Sequence, residues 1–326
     1  MGQSHEVGGG RSDLGAAEDS GRDARRGTGP DTDPDTDPGT GRYTGRGGAG
    51  NAVRAGASAG GPRALGAVGA ALLTAMVAAQ VASGLQARPV GLTGVVVLLL
   101  AASALAFAAR AYGFAAAATA FALSVAAGYA AEWVGVRTGL PFGGYGYTGL
   151  LRPQLGGVPV AVALAWGGMG LAAHATASAA ATRLPGGRGT RIVLGACALT
   201  AWDLFLDPQM TRLGLWTWDV PGPYRGVPVS NFVGWLLVSL LVMALIDRTV
   251  ARRDAGSAGL VSVYTAMALM ETLGFAAVFD PPDPLVAASG GICMGLFAVL
   301  AWSARSRRPW RPWKPWRRER RLGWRK

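Results

Sequence analysis

The stretch WDLFLDPQMTRLGLWTWDVPGPYRGVPVSNFVGW, residues 202–235, places acidic side chains where the surrounding sequence is apolar enough to lie in lipid. Asp203 and Asp207 stand in one apolar run, a loop rich in Trp, Tyr, Pro and Gly follows, and a second apolar run begins near Asn231. An ionised carboxylate at the centre of a membrane helix costs about 2.5 to 3.5 kcal/mol on insertion scales. The stretch therefore predicts two membrane helices that enclose a protected polar site.

The whole chain has the composition of a membrane protein. Half of its 326 residues are hydrophobic and only 15% are charged, which is unlike an ordinary soluble domain. Eight apolar runs are long enough to cross about 30 Å of hydrocarbon as helices. They lie near residues 65–85, 89–109, 112–134, 157–181, 192–207, 231–246, 257–279 and 284–303. We predict an all-α, polytopic bundle of about eight transmembrane helices.

Two polar tails flank the predicted bundle, which we place at residues 63–304. Residues 1–62 include the run DTDPDTDPGT and hold few large apolar side chains, so we expect them to be disordered. Residues 305–326 interleave Trp with Lys and Arg, which indicates binding to an anionic lipid leaflet rather than to nucleic acid. With both termini on the cytoplasmic side of the cell membrane, 26 of the 31 Lys and Arg residues lie inside, as the positive-inside rule requires.

Histidine and cysteine are too scarce for several classes of membrane enzyme. The chain has only His5 and His174, whereas di-iron desaturases and hydroxylases need several imidazole ligands. Cys197 and Cys293 lie in separate apolar runs and are expected to be core side chains. The number of histidines therefore argues against the di-iron classes.

A short motif occurs twice in the middle of the chain. Gly-Val-Pro-Val at residues 157–160 precedes Trp166 by the same spacing with which residues 226–229 precede Trp235. Each copy opens a predicted helix and follows a predicted helix that carries an acid. The pattern indicates an internal repeat of two helix hairpins in parallel orientation; chance similarity in a chain rich in Ala, Gly and Val is the alternative.

Four carboxylates fall inside predicted spans and are the candidate catalytic residues: Asp203, Asp207, Glu132 and Glu271. The predicted topology puts all four toward the outer ends of helices that run outward. Asp203 and Asp207 are four residues apart and share a helix face. We expect the four acids to line one cavity, although a single Glu could instead make a packing hydrogen bond or pair with Arg.

Aromatic and amide side chains surround these acids in the sequence and are the candidate substrate-binding residues. For any one aromatic residue, membership of an interfacial aromatic belt is the alternative. The candidates are Tyr145, Tyr147, Trp166, Trp202, Trp216, Trp218, Tyr224, Asn231 and Trp235.

Three segments carry a resemblance to a known family. They are PFGGYGYTGLLRPQLGGVPVAVALAW at 141–166, WDLFLDPQM at 202–210 and WTWDVPGPYRGVPVSNFVGW at 216–235. They resemble the signature segments of the membrane carotenoid biosynthesis family that includes the carotenoid 1,2-hydratases, and the likeness extends over about residues 110–300. The resemblance implies addition of water to the terminal C1,C2 double bond of an acyclic carotenoid, with no metal or other cofactor.

This interpretation assigns roles to the acids. Asp203 or Asp207 would protonate the alkene, and Glu132 or Glu271 would orient water and accept its proton. Expected partners are an acyclic carotenoid, membrane lipid and other carotenoid biosynthesis enzymes. Two other classes remain open: a prenyltransferase in which Asp203 and Asp207 hold Mg²⁺, and a non-catalytic transporter or pigment-binding membrane protein.

Overall fold

The computed structural model describes residues 50–86, 90–250 and 257–306. In this part of the chain, each of eight helices is long and apolar enough to cross a membrane, so the prediction of an all-α, multi-pass membrane protein is confirmed. The helices are α1 (Gly50–Gly84), α2 (Val90–Tyr112), α3 (Phe114–Thr138), α4 (Val160–Ala180), α5 (Gly187–Arg212), α6 (Val229–Val250), α7 (Ala258–Leu273) and α8 (Pro284–Ser306).

The first helix begins earlier than the sequence pattern indicated. Residues 50–62, which we placed in the disordered tail, belong to α1, whose apolar part is Gly61–Gly84. The rest of both predicted tails, residues 1–49 and 307–326, lies outside the described residues.

Four short strands stand at one end of the bundle. They are β1 (Tyr145–Tyr147), β2 (Gln154–Leu155), β3 (Val158–Pro159) and β4 (Trp216–Trp218). β2 pairs with β3 inside the loop between α3 and α4. β1 pairs antiparallel with β4, which places Tyr145 opposite Trp218 and Tyr147 opposite Trp216. This second pair joins the α3–α4 loop to the α5–α6 loop.

The two copies of the Gly-Val-Pro-Val motif begin two helices that meet. The fourth residue of each copy, Val160 or Val229, is the first residue of α4 or α6. The indoles of Trp166 and Trp235 stack with their centroids 4.2 Å apart and their planes 19° apart. The two tryptophans that occupy matching places after the two motif copies therefore bring α4 and α6 into contact.

At the end of the bundle opposite the strands, one buried carboxylate connects three helices. Asp247 on α6 is fully buried and lies 2.8 Å from Arg188 and 2.5 Å from Arg191, both on α5. His174 on α4 lies 3.3 Å from the same carboxylate. A buried charge is tolerated when it is paired in this way, so the cluster holds α4, α5 and α6 together at this end.

An ion pair on the strand side connects the α5–α6 loop to α8. Arg225 donates to Asp283 through Nε (2.6 Å) and a terminal guanidinium nitrogen (2.8 Å). Asp283 also caps α8, because its side chain accepts a hydrogen bond from the N–H of Val286 (3.2 Å). Burial alone would raise the pKa of Asp283, but the bonds from Arg225 and Val286 hold that pKa below its usual value.

We predict that Gly128→Ala destabilises the protein by about 1–3 kcal/mol through overpacking. A Cβ at this position of α3 would stand 2.3 Å from Cγ of Trp166, so α3 and α4 could not stay as close as they are. Thermal unfolding of the purified protein in detergent would measure the effect. Gly295→Ala is the matched control, because a Cβ there meets nothing within 4 Å. Equal melting temperatures for the two variants would contradict the close α3–α4 packing.

We predict that the Asp283 carboxylate makes stability depend on acid pH. A carboxyl whose pKa is lowered by folding stabilises the protein above its unfolded pKa of about 3.9, and this contribution disappears as pH falls through the folded value. Asp283→Asn keeps a good helix cap and removes the charge. Its melting temperature should lie below that of the wild type at pH 7, with the difference closing below about pH 4. A difference independent of pH would show that the charge contributes nothing.

Candidate functional site

Three buried carboxylates meet at the strand end of the bundle. Glu132 on α3 is 4% exposed, and Asp203 and Asp207 on α5 are 0% and 3% exposed. Glu132 and Asp207 border a cavity of about 20 Å³, which we call the acid cavity. Room for one water molecule requires about 10–15 Å³, so the acid cavity is the size of a single water.

Three donors converge on Glu132. Its Oε2 accepts hydrogen bonds from the hydroxyls of Tyr145 and Tyr147, the second at 2.7 Å. Its Oε1 accepts a bond from Nε1 of Trp166 at 3.1 Å. The two tyrosines come from β1 and the tryptophan from α4, so the carboxylate is held in one orientation by two separate elements.

The two tyrosines are suited to act as permanent donors. Burial and the neighbouring Glu132 carboxylate raise the pKa of Tyr145 and the pKa of Tyr147 above their ordinary values. Both hydroxyls therefore remain protonated at any physiological pH. The rings lie edge to face with centroids 5.5 Å apart.

One amide group joins the two aspartates. Nδ2 of Asn231, at the start of α6, donates to Oδ2 of Asp203 at 2.7 Å and also to Oδ2 of Asp207. Trp216 on β4 donates its Nε1 to Oδ1 of Asp207 at 3.1 Å. Oδ1 of Asp203 has no hydrogen-bond partner among the residues that the structure describes. The pair therefore keeps one carboxylate oxygen uncommitted.

The local sequence explains why these groups meet. The spacing of four residues puts Asp203 and Asp207 on one face of α5. The repeated motif starts α4 and α6 at the same end of the bundle, which brings Trp166 and Asn231 to the level of the acids. Pairing of β1 with β4 then lays the Tyr and Trp side chains of both strands across the site.

Most of the residues that we expected at the site lie there. The acid cavity is bordered by Glu132, Tyr145, Tyr147, Asp207, Trp216, Trp218, Asn231 and Trp235. Asp203 and Trp166 join it through their hydrogen bonds to Asn231 and Glu132.

Three other expected residues neither border the acid cavity nor form a hydrogen bond to a side chain that does. Tyr224 instead ties the α5–α6 loop to other helices, since its hydroxyl donates to the carbonyl oxygen of Leu204 (2.9 Å) and lies 2.6 Å from Oγ of Ser289. Trp202 stands behind the site with its ring edge to face against Trp235, 6.1 Å between centroids. Glu271 lines a different cavity.

The expectation of one cavity for all four acids is therefore wrong for Glu271. Helix α7, which carries it, packs against α1, α2, α4 and α8, whereas the other three acids and their donors belong to α3–α6 and the strands. The position of each acid along its helix indicates only its depth in the membrane. Depth does not determine which neighbours a helix packs against.

The cavity that Glu271 lines is larger, about 210 Å³, and lies between α1, α2, α5 and α7; we call it the apolar cavity. It shares the side chains of Trp202 and Leu206 with a smaller space of about 30 Å³. That space in turn shares Leu206, Trp216 and Trp235 with the acid cavity. Leu206 thus borders all three, a role that its place between the two aspartates could have suggested.

Phe142, like Leu206, lies at the site but is not among the candidate residues chosen from the sequence. It is 1% exposed and borders the acid cavity next to Tyr145, with 6.1 Å between ring centroids. Its place in the aromatic segment that begins at Pro141 was the available signal.

Comparison with known proteins identifies the family of the chain. Residues 93–297 match the family described as carotenoid biosynthesis protein. Bisanhydrobacterioruberin hydratase of Haloarcula japonica is 32% identical over 120 residues, which are 36% of this chain and 41% of that protein, so the match spans less than half of this curated relative. No solved structure matches the chain. The family match covers most of the chain and contains every residue of the acid cavity, and the chain therefore belongs to the carotenoid biosynthesis protein family.

Proposed function

We propose that this protein is a carotenoid 1,2-hydratase, which adds water across the terminal C1,C2 double bond of an acyclic carotenoid. The observation that carries the proposal is the buried aspartate pair bridged by Asn231, which shares a water-sized cavity with Glu132. The family is one of carotenoid biosynthesis, and its relative from Haloarcula japonica is named a hydratase. A site that combines a buried acid, a second carboxylate and space for water suits this reaction.

The first step of the proposed reaction is protonation of the alkene. Two carboxylates that touch the same nitrogen in a low-dielectric surrounding repel each other, so they share a proton. The O–H bond of Asp203 or Asp207 breaks, a C–H bond forms at C2, and the π electrons leave a tertiary cation at C1. A positioned acid of this kind contributes about 10²- to 10⁴-fold to rate.

The second step is capture of the cation by water. Glu132 is held by its three donors at the wall of the acid cavity, where it can orient one water molecule. The water oxygen bonds to C1, and the proton that it loses passes to Glu132 and from there back to the aspartate pair. Water is consumed, the carboxyl groups are regenerated, and no electrons are gained or lost. Aromatic faces of Tyr145 and Trp218 stabilise the cation while it exists.

The substrate reaches the acids from the apolar cavity. A polyene end group is too large for a space of about 20 Å³. The apolar cavity borders the space of about 30 Å³ that adjoins the acid cavity, and Trp202 and Leu206 are among the residues that line both the apolar cavity and that space. Movement of the Leu206 side chain would bring the alkene against the aspartate pair. The rest of the polyene would stay among apolar side chains or in lipid.

A magnesium-dependent prenyltransferase is supported less well. Asp207 is already bound by Asn231 and Trp216. Arg212, the nearby basic residue in the sequence, donates instead to the carbonyl oxygen of Pro281 at 2.6 Å. In the described ranges, no group of three or more His, Cys, Asp or Glu side chains is arranged to hold a metal ion. A diphosphate would require several cationic contacts.

We predict that Asp203→Asn and Asp207→Asn each reduce hydration by at least about 10²-fold. Either change removes the carboxyl group that donates the proton or the neighbouring carboxyl group that shares this proton. The variants would be expressed in a lycopene-producing host and the pigments analysed by mass spectrometry. Asp280→Asn, an exposed acid in the loop before α8, is the matched control and should leave the product unchanged. Undiminished hydration by both site variants at normal expression would remove the aspartates from the mechanism.

The same assay separates the alternatives. A wild-type product heavier by one water supports the hydratase, a product heavier by a prenyl group supports the transferase, and an unchanged pigment profile supports a binding protein or transporter.

We further predict that hydration in D₂O places one deuterium on carbon. The proposed acid exchanges its proton with solvent and delivers it to C2, where the new C–H bond does not exchange. Membranes that contain the protein would be given lycopene in D₂O, and the product would be returned to H₂O before mass spectrometry to remove deuterium from the hydroxyl group. Asp207→Asn membranes are the control. A product without carbon-bound deuterium would exclude protonation by a solvent-exchanged acid.

A further inference from the structure

The apolar cavity contains polar groups that the proposed reaction does not use. Its wall is formed mainly by Val, Leu and Met side chains of α1, α2, α5 and α7, yet Glu271 and Gln80 also line it. Such a cavity suits a hydrocarbon chain. A carboxyl and an amide in its wall add a requirement for a hydrogen-bonding group on that chain.

Glu271 is the stronger of the two signals. Glu271 is 7% exposed, and its carboxyl group makes no hydrogen bond to a side chain or backbone group among the described residues. Leaving a buried polar group unpaired is unfavourable. A carboxyl kept in this position is therefore expected to have a partner that belongs to the ligand.

Gln80 on α1 lines the same cavity as Glu271. Its Nε2 donates to Sδ of Met267 at 3.5 Å, and Met267 precedes Glu271 by one turn of α7. Its Oε1 has no partner within the described residues. The amide and the carboxyl thus offer an acceptor and a second polar group in the wall of one cavity.

We propose that the apolar cavity binds the end of an isoprenoid chain that carries a hydroxyl group, and that Glu271 and Gln80 are the hydrogen-bond partners of that hydroxyl. A hydroxyl both donates and accepts, which suits the two groups. A cavity of about 150 Å³ holds benzene, so the 210 Å³ here has room for a chain end rather than a whole polyene.

This binding site lies in the cavity through which the proposed substrate reaches the acids, but binding there does not depend on the hydration step. It rests on the apolar cavity and on the isoprenoid substrates of the family, and it requires no role for Asp203 or Asp207. Because Trp202 and Leu206 border both the apolar cavity and the space that leads to the acids, one ligand can occupy the site and extend toward the acids. Glu271 would then select which chain ends are held there.

The test compares two ligands that differ by one molecule of water. Full-length protein in lipid nanodiscs would bind tritiated nerolidol, an acyclic isoprenoid alcohol, in competition with unlabelled nerolidol or with the hydrocarbon β-farnesene. Since both ligands partition into lipid, the ratio of their apparent affinities is compared between variants. One hydrogen bond corresponds to about a 3- to 10-fold change in that ratio.

Glu271→Leu should remove the preference for the alcohol, whereas Glu271→Gln should retain it because an amide also donates and accepts. Leu296→Ala, on the exposed face of α8, is the control and should behave like the wild type. Val96→Trp, which fills the apolar cavity from α2, should weaken the binding of both ligands.

Two results would overturn the proposal: the same affinity ratio for wild type and Glu271→Leu, or unchanged binding of both ligands by Val96→Trp. The assay requires no turnover, so a ratio that changes as expected supports this site even if the pigment analysis shows no hydration.

Discussion

The contact of one Asn231 nitrogen with two aspartates is the interaction on which the arrangement of the site depends. In the interior of a membrane protein, two adjacent carboxylates repel each other strongly unless a donor lies between them. Asn231 supplies that donor from α6, and the aspartates belong to α5. The bond therefore fixes the relative position of two helices as well as the direction in which Asp207 faces the acid cavity.

The other donors come from short elements at the end of the bundle. β1 supplies two tyrosines to Glu132, and β4 supplies one tryptophan to Asp207. Because β1 and β4 pair with each other, the donors for the α3 acid and the α5 acids are held in a fixed register. The α3–α4 and α5–α6 hairpins thus build one site jointly, with a glutamate in one hairpin and an aspartate pair in the other. The stacked Trp166 and Trp235 mark the contact between the halves.

The two cavities differ in size and in lining. The acid cavity has room for about one water molecule, and the apolar cavity is roughly ten times larger. An acid that must protonate an alkene works best where bulk water is excluded, because water is the stronger competitor for its proton. Leu206, which stands between Asp203 and Asp207 on α5 and borders both cavities, keeps the two environments apart.

The sequence by itself determined the class of fold and the depth of the chemistry. Apolar runs of sufficient length can satisfy their backbone in lipid only as helices, and the resulting eight helices match the pattern read from residue 64 onward. The spacing of Asp203 and Asp207 required a common face, and the repeated motif marked the starts of α4 and α6. Only the tertiary structure decided which helices are neighbours. It placed Glu271 in a different cavity from Glu132, made Tyr224 a tie between helices, and put Leu206 between the cavities. Lateral packing of helices follows from the fit of side chains between them, and a one-dimensional pattern of hydrophobicity does not contain that information.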